Sequence, residues 1–238
     1  MSHSRLLFHL IVLVLLGCRQ PDDTRPVDSP PKQPSASESR KVPGYSVKEL
    51  SAIGSYLPDL LDEGRLQVAP PIGWHAAPRS KDYVARFRFD RNQPLPQITV
   101  EAREAGPDEP RNLNEENLPA YVDAMTDGMD EKLLQAMKGK IEPLKLGDLF
   151  CARYVVQRKF RSGGRLYAGK REVVQTIRNG RVYSVSLDVY AGMLVRYRAD
   201  AYAVMATMKF PPAQQKDESD SKDRASEAGA KGDASENE

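Results

Sequence analysis

Residues 171–190 read REVVQTIRNGRVYSVSLDVY, two β-rich runs joined by Asn179-Gly180. Asn-Gly accepts positive φ at both central positions of a type I′ turn, the turn whose twist matches its flanking strands. The stretch is therefore predicted to be a β-hairpin, and the turn sets its register. Arg178 faces Arg181, Thr176 faces Tyr183, Val174 faces Val185 and Arg171 faces Asp188. Alternation then gathers Tyr183, Val185, Leu187 and Val189 on one face, with Val173, Ile177 and Val182 on the other. A hairpin apolar on both sides needs a covering layer on each, which already points to a sheet with helices packed on it.

The neighbouring segments supply those layers. Phe150 to Phe160 is a long strand that ends at the Ser162-Gly163-Gly164 turn. Tyr83 to Phe89 alternates, with Tyr83, Ala85, Phe87 and Phe89 on one side, and Gln97 to Arg103 follows as a further strand. Leu66 to Ala69 is expected as another, closed by Pro70-Pro71. Between the strands, residues 104–116 form a long polar loop. A helix begins near Asn117, carries a stripe of Leu118, Val122, Met125, Met129 and Leu133, and is weakest at Gly128. Leu194, Tyr197, Ala201, Val204, Met205 and Met208 mark a closing helix. Ser46-Val47-Lys48-Glu49 fits a capping box that opens a short helix through about Ile53. The expected class is α+β: an antiparallel β-sheet flanked by helices. A cystatin-like α+β roll is the alternative.

Composition bounds the rest of the 238 residues. Residues 19–44 hold six prolines among polar side chains, and residues 211–238 hold almost no large apolar ones. Neither can bury enough surface to offset the entropy of ordering. The reading is a tether over 18–44, a single α+β domain over 45–210 and a disordered charged tail over 211–238. Net charge is +2 for the chain and +4 for the domain, ordinary values that give no ground for nucleic-acid binding.

Leu6 to Leu16 is an apolar run broken only by His9, about half the length of a membrane span. Its end, Leu15-Leu16-Gly17-Cys18, resembles the lipobox of bacterial lipoproteins. That resemblance implies a signal peptide over 1–17 and a Cys18 whose sulfur carries a diacylglycerol thioether. It places the protein in the bacterial envelope, anchored to a membrane through Cys18. With Arg19 after the cysteine, the outer membrane is favoured over the inner where both exist.

The domain carries a second resemblance. PPIGWH (70–75), YVARFRF (83–89), LPQITVEA (95–102), ARYVVQRKF (152–160), GRVYSVSL (180–187) and the closing MKF (208–210) together resemble the PsbP-like α/β/α sandwich superfamily. The likeness spans roughly residues 66–210. It implies a mostly non-catalytic role in binding or assembly; no cofactor is expected.

The residue types that carry chemistry point the same way. Beyond residue 17 the only histidine is His75, so a multi-histidine metal site within one chain is excluded. His75 reads as a surface residue after a strand exit, and Trp74 as a core residue with its indole N–H bonded. Cys151 has no CxxC partner and reads as a buried thiol, not a nucleophile. Asp123, Asp127 and Asp130 read as a solvated helix face, and Asp108, Glu109, Glu115 and Glu116 do not match an EF-hand. Basic residues cluster around the meander: Arg158, Lys159, Arg161, Arg165, Lys170 and Arg171 form a candidate binding surface, although alternation sends Arg158 and Lys159 to opposite faces. The functional expectation is a lipid-anchored envelope protein that binds a protein partner without catalysis. The alternative is a small-ligand carrier or enzyme using the 104–116 loop and strand-end residues.

Overall fold

The computed structural model describes residues 42–137 and 139–212. Eight strands appear in chain order: β1 (Gly44–Tyr45), β2 (His75–Ala76), β3 (Ala85–Arg88), β4 (Gln97–Glu104), β5 (Glu142–Leu146), β6 (Leu149–Ser162), β7 (Arg165–Arg178) and β8 (Arg181–Tyr190). Three α-helices join them, α1 (Leu118–Asp127), α2 (Glu131–Ala136) and α3 (Leu194–Ala206). The strands make one sheet in the order β1-β5-β6-β7-β8-β4-β3-β2.

The hairpin that decides the fold has the register its turn dictates. Arg178 pairs with Arg181, Thr176 with Tyr183, Val174 with Val185 and Arg171 with Asp188. Asn179 and Gly180 take φ of 53° and 74°, the left-handed pair that a type I′ turn requires. β8 then receives β4 on its other edge, with Val100 opposite Val185 and Ile98 opposite Leu187.

Two apolar layers cover this sheet. On one face, Phe87, Ile98, Val100, Cys151, Val174, Tyr183, Val185, Leu187 and Val189 pack with Leu194, Tyr197, Ala201, Val204 and Met205 of α3. Trp74 is buried here, and its indole N–H donates to Asp200 at 3.1 Å. On the other face a smaller cluster joins Ala152, Ile177 and Val182 to Leu118 and Tyr121 of α1, with Leu113 and Ile141. Each fully buried large aliphatic side chain contributes about 1.5–3 kcal/mol, so the α3 layer is the main source of stability. The molecule is thus α+β, a mixed sheet flanked by helices.

Several local expectations need correction. The sheet is not wholly antiparallel, because β1 runs parallel to β5. Pairing starts at Gly44, one residue before composition places the domain. The capping box at Ser46 yields only a single 3₁₀ turn, Val47–Glu49: the Ser46 N–H donates to Glu49 Oε2 at 2.7 Å, and Leu50 is already extended. Leu66 to Ala69 is buried and extended but pairs only through isolated bridges, Leu61 with Leu66 and Gln67 with Lys209. The mid-chain stripe does break at Gly128, which caps α1, and Asp130 then starts α2 by accepting from the Leu133 N–H at 2.7 Å.

Candidate functional site

The two faces of the sheet differ in chemistry. Along β8, Tyr183, Val185, Leu187 and Val189 turn toward α3, while Val182, Ser184, Ser186 and Asp188 alternate onto the opposite face. β4 and β7 place Thr99, Glu101, Arg103, Arg171 and Gln175 beside them. α1 and α2 pack over β5 and β6 and leave this polar half of the sheet as the floor of a cleft.

The cleft has two parts that meet at Tyr154 and Gln175. Beneath α1 lies a half-open hollow of about 600 Å³, walled by Ala120, Ala124, Met125 and Met129 and bordered by Arg103, Asp108 and Glu109. Beneath α2 lies a second hollow of about 470 Å³, with Glu101, Arg171, Ser184 and Ser186 on its floor and Arg158 at its side. One end is therefore apolar and the other rich in hydrogen-bonding groups, a pattern suited to holding a ligand in one orientation.

The 104–116 loop forms part of the wall and is fastened at both ends. Arg103 grips both oxygens of Glu109 at 2.6 Å, and Glu109 also accepts from the Gly106 N–H at 2.7 Å. The Arg103 guanidinium, with the Gly106 N–H, holds the Glu109 carboxyl below the usual carboxylate range despite partial burial. Farther along, Asn112 Oδ1 accepts from the Asn179 N–H at 2.9 Å, and the Arg111 carbonyl from the Gly180 N–H at 2.8 Å. The hairpin turn thus anchors the loop that frames the hollow.

Two tyrosines set the character of the interior. Tyr121 is buried with its hydroxyl unpartnered among the described residues, and burial pushes its ionisation up to about 12. Tyr154 is likewise shifted up by burial. Ser184 Oγ accepts from Gln175 Nε2 at 2.9 Å. Glu101 is opposite Ser184 in the register, yet the serine is held by an amide, which cannot take its proton. The floor offers donors and acceptors, and among the described residues no nucleophile there is bonded to a base.

The six basic residues singled out in the sequence do not form one surface. Arg171 is locked to Asp188 at 2.7 and 2.6 Å, with Asp188 fully buried. Arg158 and Arg165 share the cleft side of the β6–β7 ribbon, while Lys159, Arg161 and Lys170 occupy the α3 side. His75 begins β2, on the far edge strand. Cys151 is fully buried, and burial pushes its thiol up to about 12. Asp123 and Asp127 are exposed on α1. Among the described residues, no three His, Cys, Asp or Glu side chains gather as a metal site. Cys18 and the lipobox lie outside the described residues. What the sequence did not single out is the floor itself; its trace was Ser184, Ser186 and Asp188 alternating with the apolar face of β8.

The fold and cleft define an α+β sandwich domain with a polar half-face beneath two short helices. No family model matches the chain, and no curated protein matches it. Some solved structures align with it at low identity. A Bacteroides thetaiotaomicron crystal structure aligns at 12% identity and a TM-score of 0.45, over 68% of this chain and 50% of that one. The chain thus spans half the length of that protein. The solution structure of the cyanobacterial PsbP protein, CyanoP, from Synechocystis aligns at 12% identity and TM-score 0.38, over 68% and 94%. LpqN of Mycobacterium tuberculosis, described as involved in cell envelope biogenesis, aligns at 16% identity and TM-score 0.38, over 71% and 99%.

Proposed function

We propose that the protein is a non-catalytic binding module of the bacterial envelope, held to a membrane by a lipidated Cys18, with the cleft beneath α1 and α2 as its partner site. The observation that carries the reading is the polar floor. Ser184, Ser186, Gln175 and Glu101 sit where a sandwich of this kind would otherwise bury apolar side chains, and they border a half-open trough. Ser184 and Ser186 are buried, Gln175 is half-buried and Glu101 is exposed, so the hollow presents polar groups that a partner with complementary groups can meet. The sequence at Cys18 and the proline-rich 19–44 stretch support the address: an anchor followed by a semi-extended spacer. A second reading, a carrier of a small amphipathic ligand, is favoured by the apolar end of the cleft and the unpartnered Tyr121 hydroxyl.

The test is site-specific photo-crosslinking in intact cells. A photoreactive residue at Ala124, which lines the cleft, is compared with one at Val195, 80% exposed on α3. A discrete protein adduct at position 124 alone supports the protein-partner reading. Mass spectrometry of the natively isolated protein with a retained small molecule supports the carrier reading. Equal crosslinking at both positions, or neither an adduct nor a retained molecule, overturns the cleft as the binding site.

A further inference from the structure

β6 and β7 outrun the sheet. The last β8 partner of β7 is Tyr190, opposite Gly169, so four rungs extend beyond it: Lys159–Ala168, Phe160–Tyr167, Arg161–Leu166 and Ser162–Arg165. At roughly 3.4 Å per residue this is an overhang of about 14 Å. Gly163 and Gly164 close it with φ of 54° and 78°. A two-stranded ribbon has no core of its own, and this one exposes apolar side chains at its end: Leu166 is 61% exposed and Tyr167 38%.

Its charge is of one sign. Residues 149–171 contain seven Lys and Arg and no Asp or Glu. Arg153 and Arg171 are engaged by Glu172 and Asp188, whereas Lys159, Arg161 and Arg165 form no salt bridge among the described residues. The cations and apolar side chains lie on both sides of the ribbon, Lys159, Arg161 and Leu166 on one and Arg165 and Tyr167 on the other. A protein docking on one side would use only part of this set. A surface that surrounds the tip meets all of it.

We infer that the β6–β7 arm is a membrane contact: its tip enters the interface of an anionic bilayer, Leu166 and Tyr167 among the upper acyl chains and Lys159, Arg161 and Arg165 at the lipid headgroups. Long basic side chains keep their charge at that level while their stems cover apolar surface, and aromatic rings favour the same boundary. Each cation near an anionic surface contributes roughly a fivefold gain in partitioning. The contact is separate from the cleft and needs no partner there. It gives the domain a second point of contact with the membrane and so a defined orientation.

The experiment uses the full-length protein purified from membranes and reconstituted with vesicles containing brominated lipid. Trp74 is the sole tryptophan and is 5% exposed, so it lies out of reach of the bromines. Leu166→Trp adds a reporter at the tip. The expected result is loss of the added tryptophan's emission in vesicles rich in phosphatidylglycerol, and little loss in phosphatidylcholine alone. Lys159→Glu with Arg161→Glu and Arg165→Glu in the same chain restores the emission. These exposed positions are checked by an unchanged near-ultraviolet circular dichroism spectrum, and Leu166→Trp with only Arg165→Glu serves if the triple variant misfolds. Unquenched emission in both vesicle types, quenching indifferent to lipid charge, or quenching unaffected by charge reversal overturns the inference. So does an arm that stays in water until an acidic protein is added.

Discussion

Arg171 and Asp188 stand directly opposite each other on β7 and β8, and the guanidinium grips both carboxylate oxygens at 2.7 and 2.6 Å. Asp188 is fully buried and also accepts from Gln97 Nε2 at 3.2 Å, so its charge depends on these two donors. Removing Arg171 leaves a buried carboxylate without its cation. Arg171→Ala is expected to cost about 3–5 kcal/mol in denaturant unfolding, whereas Arg171→Met with Asp188→Leu recovers most of that loss. If the single variant is as stable as the parent, the pair is not a structural element and Arg171 returns to the binding surface.

Gly169 lies beneath the ring of Phe160. A Cβ there would come within 2.3 Å of the ring and 2.6 Å of the Val189 carbonyl oxygen. Gly169→Ala is expected to destabilise by about 1–3 kcal/mol through overpacking at the base of the β6–β7 arm. Phe160→Ala in the same chain relieves only part of this, because the Val189 carbonyl belongs to the backbone. Thermal unfolding of the single and double variants checks both statements, and full rescue by Phe160→Ala contradicts the second.

These two sites show what was legible in the sequence. The Arg171–Asp188 pairing could be counted off from Asn179-Gly180, because a two-residue turn fixes every rung above it. The Trp74 core position and the break at Gly128 followed from equally local chemistry. The Gly169–Phe160 stacking did not, since it depends on β6 meeting β7 in one register and on the overhang past β8. β5 was missed for a related reason: Glu142-Pro143-Leu144-Lys145-Leu146 has alternation but also a proline, and it is held by β6 and the parallel β1. The cleft floor was hidden because Ser184 and Ser186 look like ordinary solvent-facing positions until the two helices are placed.

The loop that walls the cleft is predicted to respond to acid. Arg103 holds Glu109 below its ordinary range, so the folded state prefers the carboxylate. A depressed pKa contributes stability that is present above the unfolded value, about 4.3, and is lost as pH falls through the folded one. Amide protection factors in residues 104–116, with the intrinsic pH dependence of exchange divided out, are expected to fall below about pH 4 while β8 stays protected. Glu109→Gln should show the lower protection at neutral pH and no further fall in acid. The stability involved is modest, about 1 kcal/mol or less, because Arg103 is half exposed. A pH-independent loop in the parent protein counts against the fastening role.

The anchor can be tested through the thiols. The chain has two cysteines, and Cys151 is fully buried with its ionisation pushed up to about 12 by that burial. The thiolate is the species that attacks a thiol reagent, so Cys151 is expected to be inert at pH 8 for as long as the fold holds. Any reaction of the native protein therefore reports Cys18. With a lipidated Cys18, native protein from membranes takes up no reagent, and denaturation releases one thiol, that of Cys151. Intact mass then exceeds that of the cleaved peptide by the acyl groups, and Cys18→Ala removes both the added mass and the membrane association. A rapidly reacting thiol in the native protein, with no added mass, means that Cys18 is free and overturns the lipid-anchor reading.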